Sequence, residues 1–158
     1  MKSIHTLIIA ALALPLAAIG EDKEEKTTFD KLPKKVAEVI KKAAGEAKIK
    51  EVSREEEDGK TAYEAGWDVK GRLHEITVAE DGTILAEEQA IELSEAPEAV
   101  RAAIEKVADG KKVTKVEKVT EKGATLYEAV IETAKGKLEV EFDAKGKELK
   151  REEGAEKD

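Results

Sequence analysis

The sequence predicts an α+β fold. Two tandem units, each a helix followed by about four strands, should merge into one antiparallel sheet with both helices packed on one face. Three observations lead there. The chain repeats itself at an offset of 64 residues, from Pro33 to Pro97. Each copy opens with apolar residues at helical spacing. Each copy then changes to a period of two, broken by glycine turns.

The repeat is specific in its positions. Val36 matches Val100, Ile40 matches Ile104, and Val52 matches Val116. Gly59 matches Gly123, and Tyr63-Glu64-Ala65 matches Tyr127-Glu128-Ala129. These matches set the expected boundaries: a first unit over 30–93 and a second over 94–152.

The helices come first. Val36, Val39, Ile40 and Ala43 give one apolar stripe, and Val100, Ala103, Ile104 and Val107 give the other. Asp30 and Ser94 are N-cap residue types, and Pro33 and Pro97 suit a first helical turn. Gly45 and Gly110 are placed to end the helices.

The strands follow. Tyr63, Ala65, Trp67 and Val69 alternate with polar or small residues. So do Tyr127, Ala129 and Ile131, and then Leu138, Val140 and Phe142. Asp58-Gly59, Lys70-Gly71, Asp81-Gly82, Lys122-Gly123, Lys135-Gly136 and Lys145-Gly146 mark the turns. Leu73 falls out of phase with Ile76 and Val78, which predicts a bulge near His74. Val113, Val116 and Val119 also break strict alternation. A unit of about 64 residues is marginal alone, so the two should share one core.

The ends read differently. Residues 1–20 have a positive start at Lys2, an apolar stretch from Leu7 to Leu16 and small residues at Ala18 and Gly20. This is a secretory signal pattern with cleavage expected after Gly20. The alternative is an uncleaved anchor, for which the stretch is short against a span of ~20 residues. Residues 21–29 read as a charged leader, and 153–158 as a charged tail. The mature chain is expected to be periplasmic or secreted, with no membrane attachment after cleavage. The sequence has no cysteine, so the fold must stand without disulfides.

The formal net charge of the whole chain is −8. An acidic surface repels phosphates, which argues against a nucleic acid partner. Strand alternation places Glu64, Asp68, Glu75, Thr77, Glu128, Glu132, Glu139 and Glu141 on the sheet face away from the helices. Such a face can meet a basic partner, hold cations loosely, or serve as a solvated surface that resists association.

Catalytic chemistry finds little support. His74 is the only histidine after the expected cleavage, and one histidine without cysteine does not make a zinc site. Ser53 and Ser94 are the only serines there, and neither sits in a nucleophile elbow. The run Glu55-Glu56-Glu57-Asp58 lacks the ligand order of an EF-hand. Trp67 reads as core, with a binding-face anchor as the alternative. No catalytic residue, metal site or cofactor is expected.

With these residues in place, the chain resembles the PepSY-like domains. It resembles more closely the exported tandem PepSY-like proteins related in fold to the β-lactamase-inhibitor protein. The resemblance is carried by Leu32-Pro33 and Ala96-Pro97 at the helix starts and by the two Tyr-Glu-Ala runs after a glycine turn. It covers about residues 30–152. It implies a non-enzymatic binding module with a protein or peptide partner in the cell envelope, and inhibition or regulation of an envelope enzyme through the open sheet face. One departure stands out: the known inhibitor grips with aromatics, whereas the aromatics here belong to the helix side. The alternative function is an acidic protein of the periplasm that binds or senses cations.

Overall fold

Strand alternation and turn chemistry set the architecture, and the helices follow it. A computed structural model describes residues 23–57 and 59–155. The expected signal segment lies outside these residues. Among the described residues, nine strands form a single antiparallel sheet. They are β1 (Lys23–Lys26), β2 (Ile49–Glu57), β3 (Lys60–Val69), β4 (Arg72–Ala79), β5 (Ile84–Ala90), β6 (Val113–Glu121), β7 (Ala124–Thr133), β8 (Gly136–Asp143) and β9 (Glu148–Ala155). They lie in the sheet in chain order. Two helices of 11 residues complete it, α1 (Lys34–Ala44) and α2 (Glu98–Ala108).

The expected α+β class of two helix-plus-four-strand repeats is therefore corrected. The molecule is mostly β, and one nine-stranded sheet is its unit. Backbone pairing crosses the midpoint without a break: β5 pairs with β6, with Glu88 opposite Val119. The ninth strand comes from the segment read as a charged leader. Lys23–Lys26 pairs with β2, placing Glu25 opposite Arg54. Charged side chains suit such an edge, because they discourage further strand addition. At the other edge, β9 extends to Ala155, into the segment read as a tail.

The helices start later than their expected caps. Asp30 and Ser94 lie in short 3-10 turns, Phe29–Lys31 and Leu93–Glu95. Pro33 and Pro97 are themselves the N-caps. Before α2, the Glu92 backbone N–H donates to the Glu95 carboxylate at 2.8 Å. Gly45 ends α1 at φ 59°, whereas Asp109 ends α2 in the left-handed region at φ 48°.

The expected bulge near His74 is absent. The β3–β4 register runs unbroken from Ala62–Ala79 to Val69–Arg72, and Leu73 simply faces away from the helices, opposite Asp68. The irregularities lie at Ile49/Glu51 and Thr77/Val78, and again at Val113/Lys115 and Glu141/Phe142. The Val113/Lys115 shift puts Val113 and Val116 on the same side, whereas Val119, opposite Glu88, faces the other.

One shared core is also not what forms. α1 covers one apolar cluster: Val36, Ile40, Tyr63, Trp67, Ile76 and Val78. α2 covers another: Val100, Ile104, Tyr127, Ile131, Val140 and Phe142. The physical reason is width. Nine strands at ~4.8 Å spacing span far more than two helices of ~10 Å diameter can cover. The central strands β5 and β6 carry Glu87, Gln89, Lys118 and Thr120 on the helix side instead.

Candidate functional site on the helix-free face

Register defines the face opposite the helices. Glu64 stands opposite Thr77, and Gly66 opposite Glu75. Glu75 stands opposite Glu88, and Glu117 opposite Glu128. Glu128 in turn faces Glu141, Val130 faces Glu139, and Glu132 faces Lys137. All seven carboxylates expected on this face, Glu64, Asp68, Glu75, Glu128, Glu132, Glu139 and Glu141, thus lie on it.

Their exposure is not that of a solvated surface. Glu75 is 5% exposed, Glu64 9% and Thr77 2%. Glu128, Glu139 and Glu141 are half-buried, whereas Asp68 and Glu132 are exposed. Three further charged residues, not singled out by the sequence, complete the centre. Glu117 is 2% exposed, and Glu88 and Lys115 are half-buried. On central strands, each side chain is flanked on both sides by long neighbours, and this crowding removes water even without a covering layer.

The carboxylates converge. Oxygens of Glu75, Glu88 and Glu117 lie within 4.8 Å of one another. Lys115 reaches into this group, its Nζ 2.7 Å from Glu117 Oε2. Like charges this close resist ionising together. Burial, then the charges of Glu117, Glu75 and Glu128, push the Glu88 carboxyl up to about 8. Burial and Glu117 push Glu128 up to about 7. Burial raises Glu141 as well, with Glu121 adding to it. Burial alone lowers the Lys115 pKa, but Glu117, Glu75 and Glu128 outweigh it and raise the ammonium above its ordinary value. The face is therefore a buried acidic centre built around one internal cation.

Other sequence candidates fall elsewhere. Ser53 shares the helix-free face with Glu64. His74 lies on the helix side, its ring stacked 6.4 Å from Trp67. The sheet separates the two, so they form no nucleophile–base pair. Trp67 is buried at 5% exposure, in line with its core reading. Strand alternation sends Glu55 and Glu56 to opposite faces, and Arg54 pairs with Glu56 at 3.0 Å. Asp58 lies outside the described residues.

A signal for the missed residues existed in part. Glu88 and Glu117 sit in strands whose registers depend on bulges and on the β5–β6 junction. Alternation within one strand cannot place them relative to Glu75.

The same fold occurs in solved structures of low sequence identity. A protein from Bacteroides eggerthii described as periplasmic matches with a TM-score of 0.66 at 19% identity, covering 77% of this chain and 88% of that one. A DUF2874 family protein from Bacteroides ovatus matches at 0.64 and 18%, over 78% and 88%. A BLIP-like protein from Bacteroides fragilis matches at 0.62 and 20%, over 80% and 89%. The fold is thus BLIP-like. No family model matches the sequence, and no curated protein matches it.

Proposed function

We propose that this protein is an exported, non-enzymatic binding module of the cell envelope, PepSY-like in kind. Its helix-free sheet face docks a basic protein or peptide partner, and through it regulates an envelope enzyme. One observation carries the reading: four glutamates, Glu75, Glu88, Glu117 and Glu128, crowd around a single lysine in the middle of an uncovered face. An incoming cationic side chain supplies the counter-charge that lets these crowded carboxyls ionise together. The signal pattern of residues 1–20 and the BLIP-like fold support export and binding. The separation of Ser53 from His74 across the sheet supports the absence of hydrolytic chemistry.

The test is affinity capture from an envelope extract with residues 21–158. A triple variant, Glu128→Gln, Glu139→Gln, Glu141→Gln, serves for comparison. A partner held by the native chain, released by salt and lost from the variant supports the reading. A partner held equally by both chains removes the face from the function.

The convergence of Glu75, Glu88 and Glu117 within 4.8 Å favours one second reading, cation binding. Calorimetry with Ca²⁺ and Mg²⁺ separates the two. Saturable heat at micromolar strength favours the cation, and the absence of heat excludes it.

A further inference from the structure

The opposite side of the sheet holds a cleft of about 270 Å³ where neither helix covers the central strands. Its floor is the polar gap between the two apolar clusters. Glu87 and Gln89 come from β5, and Lys118 and Thr120 from β6. One wall is the stacked pair Trp67 and His74, whose ring planes meet at 21°, with Ala43 of α1 beside it.

Register fixes how these groups are displayed. Gln89 stands opposite Lys118, and Glu87 opposite Thr120. The Glu87 carboxylate and the Lys118 ammonium are therefore diagonal neighbours on one surface, ~7–8 Å apart at the backbone. Among the described residues, neither takes part in an ion pair. The cleft thus offers one carboxylate, one ammonium, an amide and a hydroxyl, beside an aromatic and aliphatic wall. Its volume is just below the ~300–1,000 Å³ of drug-sized sites, which fits a small ligand.

We propose that this cleft binds a small zwitterion, a free amino acid or a dipeptide. The ligand's ammonium donates to Glu87. Its carboxylate accepts from Lys118 and from the Gln89 amide. Its side chain lies along the His74–Trp67 wall. Opposite formal charges one strand apart select a ligand that carries both, and charge-assisted hydrogen bonds are the strong ones. A neutral polyol would leave both charges unmatched. The site is on the other side of the sheet from the acidic face and does not depend on its function.

Trp67 is the only tryptophan of the chain, so its emission reports on the cleft directly. The chain is titrated with L-leucine, the dipeptide Leu-Leu and N-acetyl-leucinamide, which lacks both charges. Saturable change is expected with leucine or Leu-Leu, and at least about tenfold weaker binding with the capped ligand. Glu87→Gln and Lys118→Met should each weaken binding about tenfold or more. Both side chains are exposed, so folding should persist, which circular dichroism verifies. N-acetyl-leucine keeps only the carboxylate. It should respond to Lys118→Met and not to Glu87→Gln. No saturable signal at millimolar ligand, equal affinity for the capped ligand, or a response to glucose instead would overturn the proposal.

Discussion

The two halves of the sheet agree on the helix side and part company on the other. Under the helices, Val36, Ile40, Ala44, Tyr63 and Ala65 have Val100, Ile104, Ala108, Tyr127 and Ala129 as counterparts, all buried. On the helix-free side, Glu51, Ser53, Gly66 and Thr77 have Lys115, Glu117, Val130 and Glu141 as counterparts. Packing constrains the first set, because a helix stripe must meet a complementary strand surface. No covering layer constrains the second set. There the halves were free to divide tasks, and the internal cation Lys115 went to one half only. At Gly66 the Glu51 and Glu75 side chains fold over the bare backbone, with Glu51 Cγ 3.3 Å from where a Cβ would stand. Val130 fills that place in the other half.

Even the matched side differs in how it distributes bulk. The first half puts Trp67 where the second has Ile131, and the second puts Phe142 where the first has Val78. If the clusters are separate, each large residue supports its own half. Trp67→Ala and Phe142→Ala should each cost ~3–5 kcal/mol. In urea denaturation the double variant should lose the sum to within ~0.5 kcal/mol. A clear departure from additivity would join the two clusters into one core.

The hairpins Asp81-Gly82 and Lys145-Gly146 sharpen the comparison at equivalent sites. Each glycine abuts the first turn of its half's helix with positive φ. A Cβ at Gly146 would stand 2.3 Å from the Ala99 carbonyl oxygen, which is backbone and cannot yield. At Gly82 it would meet Lys35 Cβ at 3.3 Å. Gly146→Ala should cost roughly 3 kcal/mol, and Gly82→Ala about 1–2. Equal melting shifts in the two variants would mean that the helices sit alike on their hairpins.

The divergent side should reveal itself through pH. Glu88 and Glu128 carry folded pKa values of about 8 and about 7, above the ordinary 4.5. Folding therefore holds their protons more tightly than the unfolded chain does. Their contribution is fully present below about pH 4.5 and is lost as pH rises through 7 and 8, by at most ~1.4 kcal/mol per pH unit for one proton. Glu88→Gln should flatten this decline in chemical denaturation at pH 5.5, 7 and 8.5. An unchanged slope would place the proton elsewhere.

The strands, the turns and the burial of Tyr63, Trp67, Tyr127 and Phe142 were legible because each depends on a local period. The alternating side chains of β3, β4, β7 and β8 also placed seven carboxylates on the helix-free face. The bulge was misplaced because a phase break at Leu73 can be met by letting one leucine face outward. The charged segment Lys23–Lys26 gave no apolar signal for a strand, since an edge strand is held by backbone hydrogen bonds that any residue offers. Glu88, Glu117 and Lys115 were missed because their meeting depends on the register between neighbouring strands, above all of β5 with β6 across the intervening α2, and not on alternation within one strand.

The amino acids alone settled what is periodic: the two helix stripes, the alternating strands around Tyr63, Tyr127 and Val140, and the glycines that turn the chain between them. Only the assembled sheet decided that nine strands are too wide for two helices, so that the core divides in two and leaves a cleft between. It also decided that like charges from four strands meet in one dry place. Periodicity is a property of neighbours along the chain, whereas coverage and charge crowding arise from lateral distances that the chain does not encode until it pairs.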